Sequence, residues 1–219
     1  LIANIEANPN DNILTALTTL ATQVNTELGR KYIAMAMANI SSSNDGRTAL
    51  IANIEANPND NILTALTTLA TQVNREVGRE RISRAIANIA MSAAGRTALI
   101  ENIEANPDDN ILTALSTLAA QENTPRGREY IAGAITDIAK SNEGITALLA
   151  NGAINALNHL AAQDNTPEGR AQIAFAIATI SISAAGRTAL IENAAIDDLN
   201  HLANQDNSEW GQKCINFAK

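Results

Sequence analysis

The side chains best suited to chemistry in this chain are two histidines and one cysteine. His159 and His201 each follow an asparagine and lie 42 residues apart. A metal site would need two further ligands, and the nearby Asp197 and Asp198 are only loosely suitable, so we predict two solvated surface histidines. Cys214 has no histidine near it in the sequence that could act as a base, and we therefore do not expect a catalytic thiol.

Composition and charge narrow the remaining classes of function. The sequence contains no Gly-rich phosphate loop, no paired catalytic carboxylates and no Ser-His-Asp set, which predicts a non-catalytic protein without a cofactor. The net charge of -8 disfavours nucleic acid and anionic membranes as partners, because both attract a basic surface. A single cysteine and the lack of an apolar signal or of an initiator methionine lead us to expect a cytoplasmic protein, and a piece of a longer one.

The elements that must carry any site are predicted to be helices. Apolar residues make up 46% of the chain and aromatic residues only 2%, and most of the apolar residues are Ala, Ile and Leu. Five prolines and 11 glycines are too few for a disordered or fibrous chain, and no alternating run of strand length occurs. The predicted fold class is therefore all-α.

An internal repeat organises these helices. Residues 1–25 are identical to residues 50–74, and further copies begin at Leu99, Leu148 and Leu190. The spacing is 49 residues until the fourth copy and 42 after it, because the fourth copy lacks a segment of seven residues. Seven residues are about two helical turns, so we predict that the longer copies have a lengthened first helix.

Each copy is predicted to contain three helices. The first begins after a Gly-Arg-Thr signal in which Thr can cap, as at 46–48, 95–97 and 186–188, and in the longer copies it stops before a proline. The prolines concerned are Pro9, Pro58 and Pro107. The third helix follows a loop such as Asn123-Thr124-Pro125 or Asn165-Thr166-Pro167, in which Thr can cap and Pro can take the first helical position.

The second and third helices carry apolar residues at the spacing of one helix face. On the second helix these are Ile13, Leu17 and Leu20, then Ile62, Leu66 and Leu69, then Ile154, Leu157 and Leu160. On the third they are Ile33, Met37 and Ile40, then Ile82, Ile86 and Ile89, then Ile131, Ile135 and Ile138, then Ile173, Ile177 and Ile180. Such short helices cannot bury these faces alone, so we predict one domain of stacked units, with approximate bounds at 1–47, 48–96, 97–145, 146–187 and 188–219.

The repeat resembles the armadillo-repeat family. The run from Gly186 to Ile196 is similar to that family's first helix and turn, and the run from Ala34 to Ile40 is similar to the end of its third helix. The resemblance implies a right-handed α-solenoid whose third helices line a concave groove. In the family an Asn on the third helix holds the backbone of an extended peptide, and a Trp four residues earlier makes side-chain pockets. Asn39 and Asn88 match that Asn.

Other copies depart from the family pattern, so a regular ladder of backbone contacts is not implied. The positions of the family's Asn hold Asp137 and Thr179 in the later copies, and the positions of its Trp hold Met35, Arg84, Gly133 and Phe175.

One stripe of the third helix differs in every copy and is the candidate binding surface. It lies roughly 130° from the isoleucine face, at about 100° per residue. It consists of Tyr32, Met35 and Asn39; Arg81, Arg84 and Asn88; Tyr130, Gly133 and Asp137; Gln172, Phe175 and Thr179; and Cys214 and Phe217. Exposed aromatic and Arg side chains anchor protein interfaces, which predicts a protein or peptide partner with apolar residues and at least one acidic residue. The alternative is that the stripe is merely the least constrained face, so that its residues have drifted between the copies.

Two other functions remain open at this stage. The protein could be a chaperone cofactor or adaptor that clasps a folded domain. It could also be a structural scaffold, since near-identical copies can pair head to tail, with a monomer or weak end-to-end association as the expected state.

Five further side chains are expected to act structurally. Four arginines open the third helices, where the helix dipole does not favour a cation, so we predict that they bond to the neighbouring unit. They are Arg30, Arg79, Arg128 and Arg170. Trp210 precedes the last third helix and is predicted to cover the end of the stack.

Overall fold

The computed structural model of the protein describes residues 13–24, 26–58, 60–107, 109–205 and 207–218. Within these ranges the chain forms 14 α-helices and no strand, which confirms the predicted all-α class. The helices recur in the predicted order of first, second and third. The proline at position 9, where the earliest first helix was expected to stop, lies outside the described residues.

The bounds of the helices follow the repeat. The third helices are the longest in most units. The first helices are α3 (Asn44–Ala56), α6 (Ala93–Ala105), α9 (Asn142–Ala150) and α12 (Ala184–Glu192). The second helices are α1 (Ile13–Gln23), α4 (Ile62–Gln72), α7 (Ile111–Ala119), α10 (Ala153–Ala161) and α13 (Ala195–Ala203). The third helices are α2 (Glu27–Ile40), α5 (Glu76–Ala90), α8 (Pro125–Ile138), α11 (Pro167–Ser181) and α14 (Glu209–Ala218).

The third helices begin where the sequence predicts. Thr26, Thr124 and Thr166 are their N-caps, and each hydroxyl accepts a hydrogen bond from the backbone N–H of a glycine three residues later. Prolines occupy the first turn of α8 and α11, where the missing N–H removes no helical bond.

The first helices begin earlier than predicted, and the expected Thr cap is wrong. Each is capped by a serine, and Ser43 accepts a hydrogen bond from the backbone N–H of Gly46 at 3.0 Å. The Gly-Arg-Thr signal therefore lies inside the helix, where Thr48 donates to the carbonyl of Asn44. Glycine is required because a Cβ at Gly46 would lie 1.8 Å from the carbonyl oxygen of Ile40. The other caps are Ser92, Ser141 and Ser183.

The seven additional residues are divided between a helix and a turn. Helices α3 and α6 have 13 residues, whereas α9 and α12 have nine, so four of the seven lengthen the first helix as predicted. The other three lengthen the following turn. In the shorter units this turn is tight, and it places Gly152 and Ala194 at φ values of 78° and 56°, in the left-handed region.

Stacking of equivalent helices builds a single continuous core. Second helices pack on second helices and third helices pack on third helices, the latter most extensively. The predicted isoleucines of α5, α8 and α11 are 0–1% exposed, and Ile40 on α2 is half-buried. On α1, Ile13 and Leu20 are 38% and 48% exposed, whereas their counterparts on α4, Ile62 and Leu69, are fully buried.

Three of the four arginines bond to the next unit as predicted. Arg128 Nε donates to Asn165 Oδ1 at 2.7 Å, and Arg170 Nε donates to Asn207 Oδ1 at 2.9 Å. A guanidinium N–H of Arg79 donates to the backbone carbonyl of Glu122. These three side chains belong to residues that are only 5–6% exposed, so they form a buried polar ladder along the stack.

Arg30 differs, because it reaches the next unit only through Glu27. Its guanidinium lies 3.4 Å from the Glu27 carboxylate. That carboxylate accepts hydrogen bonds from the backbone N–H groups of Asn74 and Arg75, at 3.2 and 3.0 Å. A helix N-terminal loop of the second unit is thus held by a carboxylate of the first.

Candidate binding groove along the third helices

The predicted stripe lies on five third helices that pack side by side, and we call it the third-helix face. Tyr32, Phe175 and Phe217 are 52%, 38% and 67% exposed, and Asn39 is exposed as well. Half-buried members are Met35, Arg81, Arg84, Asn88, Tyr130, Gly133, Asp137 and Gln172. Two members are buried and contribute little accessible surface, namely Thr179 and Cys214.

Two amide side chains of this face contact polar groups of the preceding unit. Asn88 Nδ2 donates to Ser41 Oγ at 3.1 Å and lies 3.4 Å from the carbonyl oxygen of Ala38. Gln172 Nε2 contacts Thr136 Oγ1 at 3.4 Å. The amide nitrogen of Asn88 is therefore occupied within the protein. Among the described residues the Asn39 side chain has no hydrogen-bond partner.

A pocket of about 360 Å³ opens on the face around Gly133, and we call it the Gly133 pocket. Residues of α5, α8, α11 and α14 and of the turn after α5 line it. A Cβ at Gly133 would meet only the amide nitrogen of Gln172, at 3.6 Å. Tyr130, Met91 and Trp210 contribute the apolar part of its lining. At this position Gly133 has no side chain, whereas the equivalent residues of the other copies have large ones.

The structure adds Trp210 to the third-helix face, a placement that the prediction of a cover for the end of the stack did not include. Its ring centroid is 5.9 Å from that of Phe175, with the two planes tilted by 58°. It is 48% exposed and lines the Gly133 pocket. Sequence reasoning missed this placement, because the contact with Phe175 joins third helices of two different units. All five aromatic residues of the chain therefore belong to this surface.

Charge is distributed unevenly along the face. Toward its first half, Arg81 lies 3.6 Å from the Glu80 carboxylate, and its buried Nε has no hydrogen-bond partner. Arg84 forms no salt bridge with any residue that the structure describes. Farther along, the Gly133 pocket has three carboxylates in its lining, those of Glu129, Asp137 and Glu168.

The three carboxylates differ in whether they have a partner within the protein. Asp137 pairs with Lys140. Glu129 Oε1 accepts a hydrogen bond from Thr166 Oγ1 at 2.9 Å. Glu168 is exposed and has no side-chain partner within the described part of the chain. Each carboxylate can accept several hydrogen bonds, so the pocket retains unused acceptors.

The histidines and the cysteine singled out for chemistry differ in exposure. His159 and His201 are exposed, as predicted. The residues that the structure describes contain no group of three or more His, Cys, Asp or Glu side chains placed to hold a metal ion. Cys214 is buried against the stack, and this burial raises the pKa of its thiol, which disfavours the reactive thiolate.

Solved structures of designed proteins resemble this chain over nearly its whole length. One is the designed armadillo repeat protein YIII(Dq.V1)4CPAF in complex with peptide (KR)4, which is 27% identical with a TM-score of 0.74 over 99% of this chain and 83% of that one. The chain has an armadillo-type repeat fold. It is a right-handed α-solenoid of three-helix repeats, as the resemblance implied.

Two further structures agree with this fold. A computationally designed armadillo repeat protein for modular peptide recognition is 26% identical, with a TM-score of 0.75 over 99% of this chain and 84% of that one. An engineered protein at 22% identity has a TM-score of 0.73 over 95% of this chain and 78% of that one, and it supports the fold alone. No protein-family model and no curated protein sequence matches the chain. None of the helices that the structure describes is long and apolar enough to cross a membrane.

Proposed function

We propose that the protein is a non-catalytic module that binds an extended segment of a partner protein along the third-helix face. The observation that carries this proposal is the placement of all five aromatic side chains on one surface, in a chain that is only 2% aromatic. Aromatic residues bury a large area at low entropic cost. Two designed proteins of the same fold are described as bound to a peptide or made for peptide recognition.

The chemistry of the face favours a particular kind of segment. Exposed rings of Tyr32 and Phe175 suit apolar side chains of the partner. Arg84, without a salt bridge in the described structure, and the partly exposed side chain of Arg81 suit an acidic residue, because a guanidinium pairs with a carboxylate through two parallel hydrogen bonds. An extended backbone would find the free amide of Asn39 at the start of the face.

The proposal is tested by selecting peptides from a random dodecapeptide display library on the immobilised protein. A groove variant carries four substitutions on the third-helix face, and a control variant carries four outside it, on first and second helices. The groove variant is Tyr32→Ala, Arg81→Glu, Arg84→Glu and Phe175→Ala. The control is Thr19→Glu, Thr22→Glu, Ile191→Ala and Ile196→Ala, which also adds negative charge and removes exposed apolar area.

We expect peptides selected on the parent protein to bind the control variant and to lose binding to the groove variant. Circular dichroism and thermal melting establish that all three proteins are equally folded. The proposal fails if the selected peptides bind the groove variant as well as they bind the parent, or if selection enriches no peptide above the background.

A further inference from the structure

We infer that the Gly133 pocket admits one basic side chain, Arg or Lys, of the segment bound along the third-helix face. The inference rests on the proposed function and adds a specificity element to it. The pocket would set both the identity of one partner residue and the register in which the segment lies.

The first argument is steric. At the position of Gly133 the other third helices carry Met35, Arg84, Phe175 and Phe217. A pocket of about 360 Å³ opens beside Gly133, which is enough to take a long side chain of a ligand from the face. No such space is needed for helix packing, because a Cβ at Gly133 would meet only one neighbouring atom, and that at van der Waals distance.

The second argument comes from the apolar walls. Tyr130, Met91 and Trp210 line the pocket, and Trp210 is held by its ring contact with Phe175. Aromatic faces attract a cation near the ring, and the methylene stem of Lys or Arg packs well on apolar surface while its charged end stays hydrated. An apolar side chain would also fit these walls, so the charged groups of the lining decide between an apolar and a basic side chain.

The third argument is charge complementarity. Glu129, Asp137 and Glu168 all belong to the lining, and the Glu168 carboxylate has no side-chain partner in the part of the chain that the structure describes. An acidic ligand group would be repelled there, and an apolar group would cover carboxylates without replacing their hydration. A guanidinium or ammonium group instead forms charge-assisted hydrogen bonds with them. The net charge of -8 adds a long-range attraction for cations.

Combined with Arg84 on the preceding third helix, the pocket implies a segment of mixed charge. Neighbouring helices lie roughly 10 Å apart, and an extended chain advances about 3.3 Å per residue. We therefore expect an acidic residue opposite Arg84 and a basic residue about three positions away, opposite Gly133, with apolar residues between them.

The test uses the same dodecapeptide selection with variants of the pocket. Gly133→Leu fills the cavity and Gly133→Ala leaves most of it open. Glu168→Gln removes the unpartnered carboxylate from the second position of α11. Its matched control is Glu143→Gln, which removes a carboxylate from the second position of α9 outside the third-helix face.

We expect selected peptides to share one Arg or Lys position at a fixed spacing from an acidic residue. Replacing that Arg by citrulline, its uncharged isostere, should weaken binding measured by fluorescence anisotropy about tenfold. Gly133→Leu should weaken the Arg peptide at least as much and should abolish the difference between Arg and citrulline. Glu143→Gln should leave binding within about twofold of the parent, whereas Glu168→Gln should weaken it several-fold. Gly133→Ala should weaken binding less than Gly133→Leu does.

The outcomes separate this inference from the proposed function. If selected peptides lose binding to the four-substitution groove variant but show no basic position, or bind Gly133→Leu unchanged, the groove stands and the inference about the pocket is wrong. If no selected peptide depends on the groove, both the proposed function and the inference are wrong.

Discussion

The two sides of the third helices differ in how strictly the copies agree. On the buried side, Ile82, Ile131 and Ile173 are equivalent residues and all are fully buried. On the exposed side, the equivalent residues one position earlier are Arg81, Tyr130 and Gln172. The same helix therefore carries one face that packing fixes in every unit and another that packing leaves free.

The proposed function depends on the face that packing leaves free. A substitution on the buried side changes the interface with a neighbouring unit, so the copies cannot diverge there without loss of stability. We expect a substitution at an exposed position of the third-helix face to change what the surface binds and to leave the stack intact. The predictions below test whether the two sides are independent, from the largest expected effect to the smallest.

The strongest test removes one arginine of the buried ladder. Arg128→Met leaves Asn165 Oδ1 and the carbonyl oxygens of Asn123 and Asp164 without the donors they have now. Because buried acceptors without partners are costly, we expect a loss of about 3 kcal/mol in the free energy of unfolding, measured by urea titration. The matched change on the third-helix face, Arg84→Met, should cost less than about 0.5 kcal/mol. Equal losses would mean that the two sides are not independent.

A second test makes the same Gly→Ala change at a closely packed glycine of a first helix and at the open glycine of the third-helix face. A Cβ at Gly144 would lie 1.9 Å from the carbonyl oxygen of Ile138, so Gly144→Ala should destabilise the protein by about 2 kcal/mol as the backbone shifts. Gly133→Ala has room for the methyl group and should stabilise by about 0.5–1 kcal/mol through helix propensity. Thermal denaturation of both variants gives the sign of each change in stability. A destabilising Gly133→Ala would show that the residues around the pocket pack closely against this position.

A third test concerns the tight turn of the shorter units. Ala194 has a φ of 56°, whereas the equivalent residue in the preceding unit is Gly152, with a φ of 78°. The left-handed conformation is strained for a residue with a Cβ, so Ala194→Gly should stabilise the protein by about 1 kcal/mol in the same urea titration. Gly152→Ala serves as the reciprocal control and should destabilise by a similar amount.

The smallest expected effect is a pH dependence at the junction of the first two units. Partial burial raises the pKa of Glu27, but hydrogen bonds from the backbone N–H groups of Asn74 and Arg75 and the nearby Arg30 lower it by more, so the net direction is downward. The contribution of the Glu27 carboxylate to the free energy of unfolding is therefore complete above its ordinary pKa. It is lost as the pH falls through the lowered pKa.

This contribution can be isolated with one conservative substitution. The difference in unfolding free energy between the parent and Glu27→Gln should be present at neutral pH and should shrink on acidification. A difference that stays constant with pH would show that Glu27 acts only through its shape and not through its charge.

Local features of the fold could be predicted from the sequence because their causes are local. The caps at Thr26, Thr124 and Thr166 depend on a hydroxyl and a backbone N–H three residues away, and the buried isoleucines follow from the 3.6-residue period. The error at the first helices has a local cause as well. Both Ser43 and Thr48 are residue types that can cap a helix. Ser43 caps the first helix, in which Gly46 lies close to the end of α2.

By itself, then, the sequence determined the repeat and the class of fold, since short helices with one repeated apolar face bury it by stacking. It also marked the stripe that we propose as the binding surface. Tertiary structure alone decided what that stripe offers. The pocket at Gly133 is completed by Met91, 42 positions earlier in the chain, and by Trp210, 77 positions later. Such a cavity depends on which side chains the stacking of α5, α8, α11 and α14 brings together, and no local rule of helix formation specifies that.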